Sequence, residues 1–229
     1  MADNATLGAA PVMSRATEIE YCAPAVVFAV LTAVEGYLPL EYYPAAYAVK
    51  AVAVTLTLYA CRRILADIVP SWALVLPSVL VGAAVFALWV GVELWLDYPR
   101  LGSRVGYDPF DALSPANARA FLVVRLYGLI LLVPVFEELL WRSFLIRYAT
   151  TTADFRSIPP WAYSMTAFWI VAVAAAVSHT EWLVAFAANA IYLLWMRQTR
   201  SVFAAVIAHA TTNAMLGVFI LLTGYWMFW

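Results

Sequence analysis

The chain has 229 residues, of which 66% are hydrophobic and only 12% are charged. A soluble domain is nearer half apolar and a quarter charged, so this composition excludes an ordinary soluble protein and predicts an integral membrane protein. The 13 Lys and Arg residues almost balance the 14 Asp and Glu residues, giving a net charge of −1. That balance gives no reason to expect a nucleic acid as partner.

The first 20 residues lack an apolar core and contain Asp3, Glu18 and Glu20. A secretory signal peptide needs an uninterrupted apolar stretch behind a basic start. We therefore expect residues 1–20 to form a short polar lead and not a cleaved signal peptide.

Seven apolar segments follow, each close to the ~20 residues that a helix needs to cross a bilayer. They are rich in Ala, Leu and Val and lack the ten-residue alternation of an outer-membrane barrel. The fourth is expected to continue through two glutamates to about Tyr148, and the last to break at Gly217 or Gly224. Such a break would leave "YWMFW" as a group of aromatic residues at the membrane interface or as a short eighth span. We predict an all-α, polytopic transmembrane bundle of about 7–8 spans, with segments near 22–39, 44–61, 72–96, 119–136, 161–178, 182–197 and 202–222.

The longest polar segment, residues 97–118, carries Pro, Gly and Asp turn signals. It separates a front half, residues 21–118, from a back half, residues 119–229. We expect three transmembrane helices and the connecting loop in the front half and a four-helix core in the back half.

The arginines indicate an orientation. With the N-terminus inside, three arginine-containing loops are cytoplasmic, in agreement with the positive-inside rule. Arg100 and Arg104 lie in a loop that this orientation places on the opposite side. Two explanations stay open: a different number of loops, or a re-entrant loop at this position. The arginines of the cytoplasmic loops are Arg62, Arg63, Arg147, Arg156, Arg197 and Arg200.

The segment "VPVFEELLWRSF", residues 133–144, places two adjacent glutamates and an arginine among apolar side chains. Glu138 and Arg142 are four residues apart, so on a helix they share a face and can pair. Glu137 is rotated by about 100° from Glu138 and points elsewhere. One carboxylate can therefore be held by arginine while its neighbour faces a cavity. The alternative is that the helix ends at the membrane–water boundary, where the charged side chains extend into solvent and have no further role.

The only two histidines, His179 and His209, both lie in apolar stretches of the back half, and Asn213 follows His209 on the same helical face. An ionisable group at membrane depth is a functional hypothesis by default. With the glutamates, these side chains could converge as general base, proton shuttle and oxyanion donors.

A metal is the competing interpretation, because two histidines and a glutamate form a zinc ligand set. The chain has no HExxH motif and its histidines are 30 residues apart, which argues against zinc. Cys22 and Cys61 have no CxxC or CxxH context, so they are expected to be small hydrophobic residues.

Together these residues resemble the CPBP family, which contains the CAAX proteases and bacteriocin-processing enzymes and includes the type II CAAX prenyl endopeptidase. "EELLWR" matches the family's EExxxR motif and "HATTN" its HxxxN motif, and His179 corresponds to the second motif, usually FxxxH. "MRQTRSVFAAVIAHATTN" is similar to the usual approach to the third motif. The similarity covers about residues 120–217, and the front half resembles a bacterial subgroup associated with exosortase and exopolysaccharide systems.

The resemblance implies a glutamate-based intramembrane endopeptidase without a metal or other cofactor. Glu137, as general base, and His179 would activate a water molecule. His209 and Asn213 would donate hydrogen bonds to the oxyanion of the tetrahedral intermediate.

The resemblance also implies that Glu138 and Arg142 pair as a scaffold or position the substrate. That substrate would be a membrane-associated protein or peptide, with or without a lipid, met in the bilayer of a bacterial inner membrane. The chain departs from the family's pattern at Ala175, where Phe is usual, at Arg200, where Gly is usual, and in "FAANAIYLLW". These departures concern packing and the substrate groove more than the polar residues.

Two other functions are compatible with the sequence. A non-catalytic scaffold or immunity-type protein of the same family could use the polar cluster to hold a partner helix. A proton-coupled transporter could use Glu137, Lys50 and the histidines as a relay, although the sequence shows neither inverted repeats nor paired broken helices.

Three charged residues lie in the first three predicted spans, and Lys50 could pair with either Glu35 or Glu93. In the back half, Asn189 is expected to make a structural polar contact between helices. Ser178 adjoins His179, but no GxSxG or SxxK context supports a serine mechanism.

Overall fold

The computed structural model describes residues 16–102 and 106–228. Within these two ranges every regular element is helical and no strand occurs, which confirms the predicted all-α class. Most of the predicted polar lead, and Arg104, lie outside the described residues. Residues 16–20, which were assigned to that lead, form the start of the first helix.

One helix lies at each predicted span, and a single-turn helix, α4, precedes the fourth span. The helices are α1 (Ala16–Glu35), α2 (Tyr43–Ala60), α3 (Val75–Trp95), α4 (Pro109–Ala112), α5 (Pro115–Tyr148), α6 (Met165–Val177), α7 (Trp182–Thr199) and α8 (Val202–Thr223).

Three of these helices are long and apolar enough to cross a membrane by length and composition: Trp72–Trp95, which includes α3, then α5 and α8. Only 17% of the apolar window of α3 is buried within the protein, so most of this helix faces outward. Trp72 and Trp95, at 86% and 88% exposure, mark its two ends as interfacial tryptophans do. The helices support an integral membrane protein, and the count of seven or eight spans stays a prediction.

Helix α5 contains two π-helical segments, Gly128–Leu132 and Leu139–Leu145, on either side of the α-helical segment Val133–Glu138. Pro134 lacks a backbone N–H and cannot continue the regular hydrogen-bond ladder, which accounts for a wide turn before it. Single π turns inside α-helices are frequent at functional sites. The two glutamates therefore lie on a short α-helical stretch between two wide turns, and the prediction that this helix runs on to Tyr148 is confirmed.

Helix α3 of the front half packs closely against α8 of the back half at Gly82. Thr212 donates a hydrogen bond from Oγ1 to the Gly82 carbonyl oxygen at 2.8 Å and also lies 3.1 Å from the Ala208 carbonyl oxygen. Because Thr212 and Ala208 flank His209 on α8, this contact fixes the helix that carries a predicted site residue.

The buried charges of the front half are paired. Lys50, 4% exposed, contacts Glu35 and donates to Thr32 Oγ1 at 3.1 Å. Glu93 instead pairs with Arg100 at 2.9 Å, so Glu35 is the partner of Lys50.

The last helix continues through Gly217 and ends at Thr223, where Gly224 adopts a left-handed conformation with φ of 72°. Within the described residues, the aromatic tail forms one short 3₁₀ turn, Trp226–Phe228. Of the two predicted break points, the structure therefore uses Gly224.

Candidate active site

Glu138 is fully buried and lies 3.2 Å, measured from Oε2, from the Nε atom of Arg142. The two residues are one helical turn apart on α5, as their spacing predicts. Arg142 is fully buried as well. Since an unpaired charge is strongly disfavoured in such an environment, each of the two stabilises the other.

The second oxygen of Glu138, Oε1, lies 2.9 Å from Nδ1 of His209 on α8. A carboxylate can only accept, so Nδ1 carries the proton in this contact. A neutral His209 then presents a bare Nε2, whereas an imidazolium presents a second N–H. Glu138 therefore fixes the ring orientation of His209.

Arg142 also reaches α7. Its Nη2 donates to Oδ1 of Asn189 at 2.7 Å, and the Asn189 amide donates in turn to the Ala185 carbonyl oxygen at 2.8 Å. This contact agrees with the structural role expected of Asn189. Helices α5, α7 and α8 are thus joined by one buried network through Glu138, Arg142, Asn189 and His209.

Tyr192 completes the network, and sequence reasoning missed it. Its ring stacks on His209 with centroids 5.2 Å apart, and the Arg142 guanidinium lies 5.5 Å from the same ring. Its hydroxyl donates to Thr212 Oγ1 at 2.7 Å. The available signal was its position three residues after Asn189, which places both side chains on one face of a helix.

Glu137 differs sharply from its neighbour. It is half-buried, and within the described ranges it makes neither a hydrogen bond nor an ion pair. Glu137 directly precedes Glu138 in the chain, so it is near the network without being bound into it. Its carboxylate is not engaged by any other described side chain.

Asn213 lies one turn after His209 on α8, and its amide nitrogen donates to the Leu129 carbonyl oxygen at 2.8 Å. Leu129 belongs to the first π turn of α5. An amide group has two N–H bonds, so one remains for another acceptor. The contact orients the Asn213 side chain and links it to the irregular part of α5.

His179 is half-buried just beyond the end of α6, with Nδ1 2.8 Å from the Ala175 carbonyl oxygen and 3.1 Å from Ser178 Oγ. Because a carbonyl only accepts, Nδ1 is the protonated nitrogen, and Nε2 of the neutral ring can act as an acceptor. Its ring meets Trp89 of α3 at 6.3 Å between centroids. In the part of the chain that the structure describes, no hydrogen bond or ion pair joins His179 to Glu137, Glu138 or His209.

The described residues include no group of three or more His, Cys, Asp or Glu arranged as a metal site. Glu138 and His209 form a direct pair, and the third member of their network is the cation of Arg142.

The fold and the site define an all-helical membrane protein with an acid, an imidazole and a guanidinium buried together between helices. Residues 119–215 match the family described as Rce1-like, type II CAAX prenyl endopeptidase Rce1-like. The match confirms the predicted family resemblance for these residues and includes all six predicted site residues. The matched family is a protease family, and the comparisons with curated proteins and with solved structures gave no match.

Proposed function

We propose that this protein is an intramembrane endopeptidase of the CAAX-protease type, acting on a membrane-associated protein or peptide in a bacterial inner membrane. The observation that carries the proposal is the contrast within the acid pair. Glu138 is held by Arg142 and His209, whereas Glu137, next to it in the family-matched segment, keeps a free carboxylate.

In the proposed reaction, Glu137 accepts a proton from a water molecule that His179 helps to hold through Nε2. The resulting hydroxide attacks the carbonyl carbon of the scissile peptide bond, and the carbonyl oxygen becomes an oxyanion. General base catalysis of this kind contributes about 10²–10⁴-fold to the rate.

His209 and Asn213 would stabilise the oxyanion. Nδ1 of His209 already donates to Glu138, so donation from Nε2 requires the imidazolium, which keeps its Nδ1 contact with that carboxylate. The remaining N–H of the Asn213 amide supplies a second donor. Removal of one such donor typically lowers turnover by about 10²–10³-fold.

Collapse of the tetrahedral intermediate breaks the C–N bond, and the proton held by Glu137 passes to the leaving amine. No covalent intermediate with the protein forms. Glu138, Arg142 and Asn189 act as the scaffold that orients His209 throughout.

Two peptides test the proposal: an internally quenched peptide ending in a farnesylated CAAX sequence, and the same peptide without the farnesyl group. Purified wild-type protein should cleave at least one of them, and Glu137→Gln and His179→Ala should cleave neither. Glu41→Gln is the matched control, because Glu41 is exposed on the turn before α2.

A complementary experiment compares the termini of membrane proteins in cells that express wild-type protein or Glu137→Gln. New termini confined to wild-type cells would reveal the substrate. If neither peptide is cleaved and the termini are identical, the proposed activity is wrong and a binding role takes its place.

A further inference from the structure

The connection between α2 and α3, residues 61–74, lies outside the family-matched residues 119–215. It contains a six-residue 3₁₀ helix, Arg62–Asp67. Side chains three residues apart on a 3₁₀ helix lie above one another, so this helix has three rows of side chains. One row faces the protein and two rows face outward. The inner row is Ile64 and Asp67, and the outward rows are Arg62 with Leu65 and Arg63 with Ala66.

Asp67 fastens the inner row to α1 and α5. Its carboxylate accepts hydrogen bonds from the hydroxyls of Tyr21 and Ser143, and Nη2 of Arg147 lies 2.7 Å from the same oxygen. These three partners are all buried. Asp67 is also the only acid among residues 61–74. The connection is therefore held in one position, and its single negative charge is already paired with a cation.

The two arginines keep hydrogen-bond donors for a further acceptor. Within the described ranges, Arg63 makes neither a hydrogen bond nor an ion pair. Arg62 donates from Nη1 to the Tyr59 carbonyl oxygen at 3.3 Å, and its guanidinium lies 5.1 Å from the Tyr59 ring. A guanidinium has five N–H bonds, so most of those of Arg62 remain. Two adjacent, exposed cations thus lack an anionic partner among the described residues.

Exposed apolar side chains accompany these cations. Leu65 is 38% exposed, Val69 68% and Trp72 86%. Trp72 begins the segment Trp72–Trp95, which is long and apolar enough to cross a membrane. Tryptophan and arginine side chains meet at the headgroup level of a bilayer, where an apolar body borders the acyl chains and a polar end meets the headgroups. The connection therefore has the composition of a segment that lies in the membrane interface.

The same end of the bundle carries further exposed cations. Ile68 of the connection packs against two apolar clusters, one containing Phe155 and the other Met196. Each of these residues is followed directly by an exposed arginine, Arg156 or Arg197. The connection thus lies at a positively charged end of the protein. At the other end, the exposed charges include both signs: Glu41, Asp97, Arg100, Asp111 and Arg119.

We propose that the connection between α2 and α3 binds an anionic phospholipid, with Arg62 and Arg63 on the headgroup phosphate and Trp72 beside the acyl chains. A guanidinium can donate two parallel hydrogen bonds to a phosphate. A net negative headgroup suits two adjacent cations, because the choline group of a zwitterionic lipid would add a third cation beside them.

A phospholipid accounts for both parts of this surface. Its phosphate accepts from the arginines, and its chains cover the exposed apolar side chains, which a soluble anion would leave in water. The inference is independent of the endopeptidase function, because it concerns residues on the front half and requires no cleavage.

Native mass spectrometry of the full chain in detergent measures this binding, with phosphatidylglycerol and phosphatidylcholine of equal chain length as probes. Wild-type protein should retain phosphatidylglycerol more tightly. Arg62→Gln and Arg63→Gln should each weaken its binding about 5-fold, and both together about 25-fold. Arg119→Gln is the matched control, because Arg119 is exposed near the start of α5 at the other end, and should bind as the wild type does. Equal retention of the two lipids, or wild-type binding by the double variant, would overturn the proposal.

Glycerol 1-phosphate separates a lipid site from a simple anion site. It carries the phosphate without the chains, so at the same concentration it should not displace phosphatidylglycerol. Displacement would show that the arginines hold a phosphate alone and would reject the lipid.

Hydrogen exchange gives a second readout that begins with the unaltered protein. The amides of residues 62–74 should exchange more slowly in phosphatidylglycerol nanodiscs than in phosphatidylcholine nanodiscs, and those of residues 96–101, at the other end, should not change. The difference should disappear in the Arg62→Gln/Arg63→Gln protein, whose thermal unfolding should match wild type because both positions are exposed. Equal exchange of residues 62–74 in the two kinds of nanodisc would reject the inference and leave the proposed cleavage untouched.

Discussion

Gly82 of α3 lies so close to α8 that a Cβ atom on it would stand 2.3 Å from the carbonyl oxygen of Ala208. The same Cβ would be 2.7 Å from the Cβ of Thr211. The contact is therefore possible only for glycine, and it places the front half directly behind the helix that carries His209.

Gly82→Ala is expected to force α3 and α8 apart. Overpacking of this kind typically costs about 1–3 kcal/mol of stability, and the shift of α8 should also reduce cleavage by disturbing His209. Thermal unfolding in detergent and the peptide assay measure the two effects. Gly91→Ala is the control on the same helix, since a Cβ there meets nothing within 4 Å. That variant should be as stable as the wild type or more stable by about 0.5–1 kcal/mol; equal losses in both variants would contradict the packing explanation.

The two adjacent glutamates should respond differently to the same substitution. Glu138→Gln removes the charge that balances Arg142 and is expected to destabilise the protein by about 3–5 kcal/mol. Glu137→Gln removes no hydrogen bond or ion pair of the described structure, so its unfolding free energy should stay within about 0.5 kcal/mol of wild type, while cleavage is lost. Thermal unfolding of both variants under identical detergent conditions separates these effects. An unstable Glu137→Gln protein would show that this carboxylate is structural.

Arg142 and Asn189 are expected to act as one unit. Arg142→Lys cannot keep both the Glu138 and the Asn189 contacts, because an ammonium group lacks the planar fork of a guanidinium. Each single change, Arg142→Lys or Asn189→Ala, should lower cleavage and stability. The double variant should lose less than the sum of the two, with a coupling of about 0.5–3 kcal/mol. Strict additivity in this double-mutant cycle would mean that the 2.7 Å contact contributes nothing.

Tyr192 should tolerate loss of its hydroxyl better than loss of its ring. Tyr192→Phe removes the bond to Thr212, which keeps its contact with Gly82, and is expected to cost about 0.5–1.5 kcal/mol while cleavage continues. Tyr192→Leu also removes the stack on His209 and should reduce cleavage strongly. Tyr37→Phe, at an 89% exposed position, controls for the loss of a tyrosine hydroxyl as such. Equal activity in Tyr192→Phe and Tyr192→Leu would dismiss the stack as a positioning contact.

The sequence allowed prediction of the features that depend on local spacing. Within the described ranges, a helix lies at each of the seven predicted apolar runs, and the Glu138–Arg142 pair follows from a separation of one helical turn. The family resemblance followed from short motifs in the expected order. Each of these features depends on residues within one short stretch of chain, where helical periodicity is enough to place the side chains.

The contacts between helices could not be predicted in the same way. That His209 meets Glu138 depends on how α5 and α8 are rotated about their axes, and the wide turns of α5 change that rotation relative to a regular helix. Helix packing likewise determines that Lys50 pairs with Glu35 and not with Glu93. It also determines how closely α3 approaches α8 at Gly82.

The two π turns of α5 set the rotation of its middle segment about the helix axis separately from that of its two ends. Each wide turn accommodates one residue more than an α turn, so it behaves as an insertion that the helix has absorbed. The first wide turn therefore sets the rotation of Val133–Glu138 about the helix axis relative to Pro115–Tyr127. The one extra residue accommodated before Val133 thus decides which of the two adjacent glutamates is turned toward the imidazole of His209.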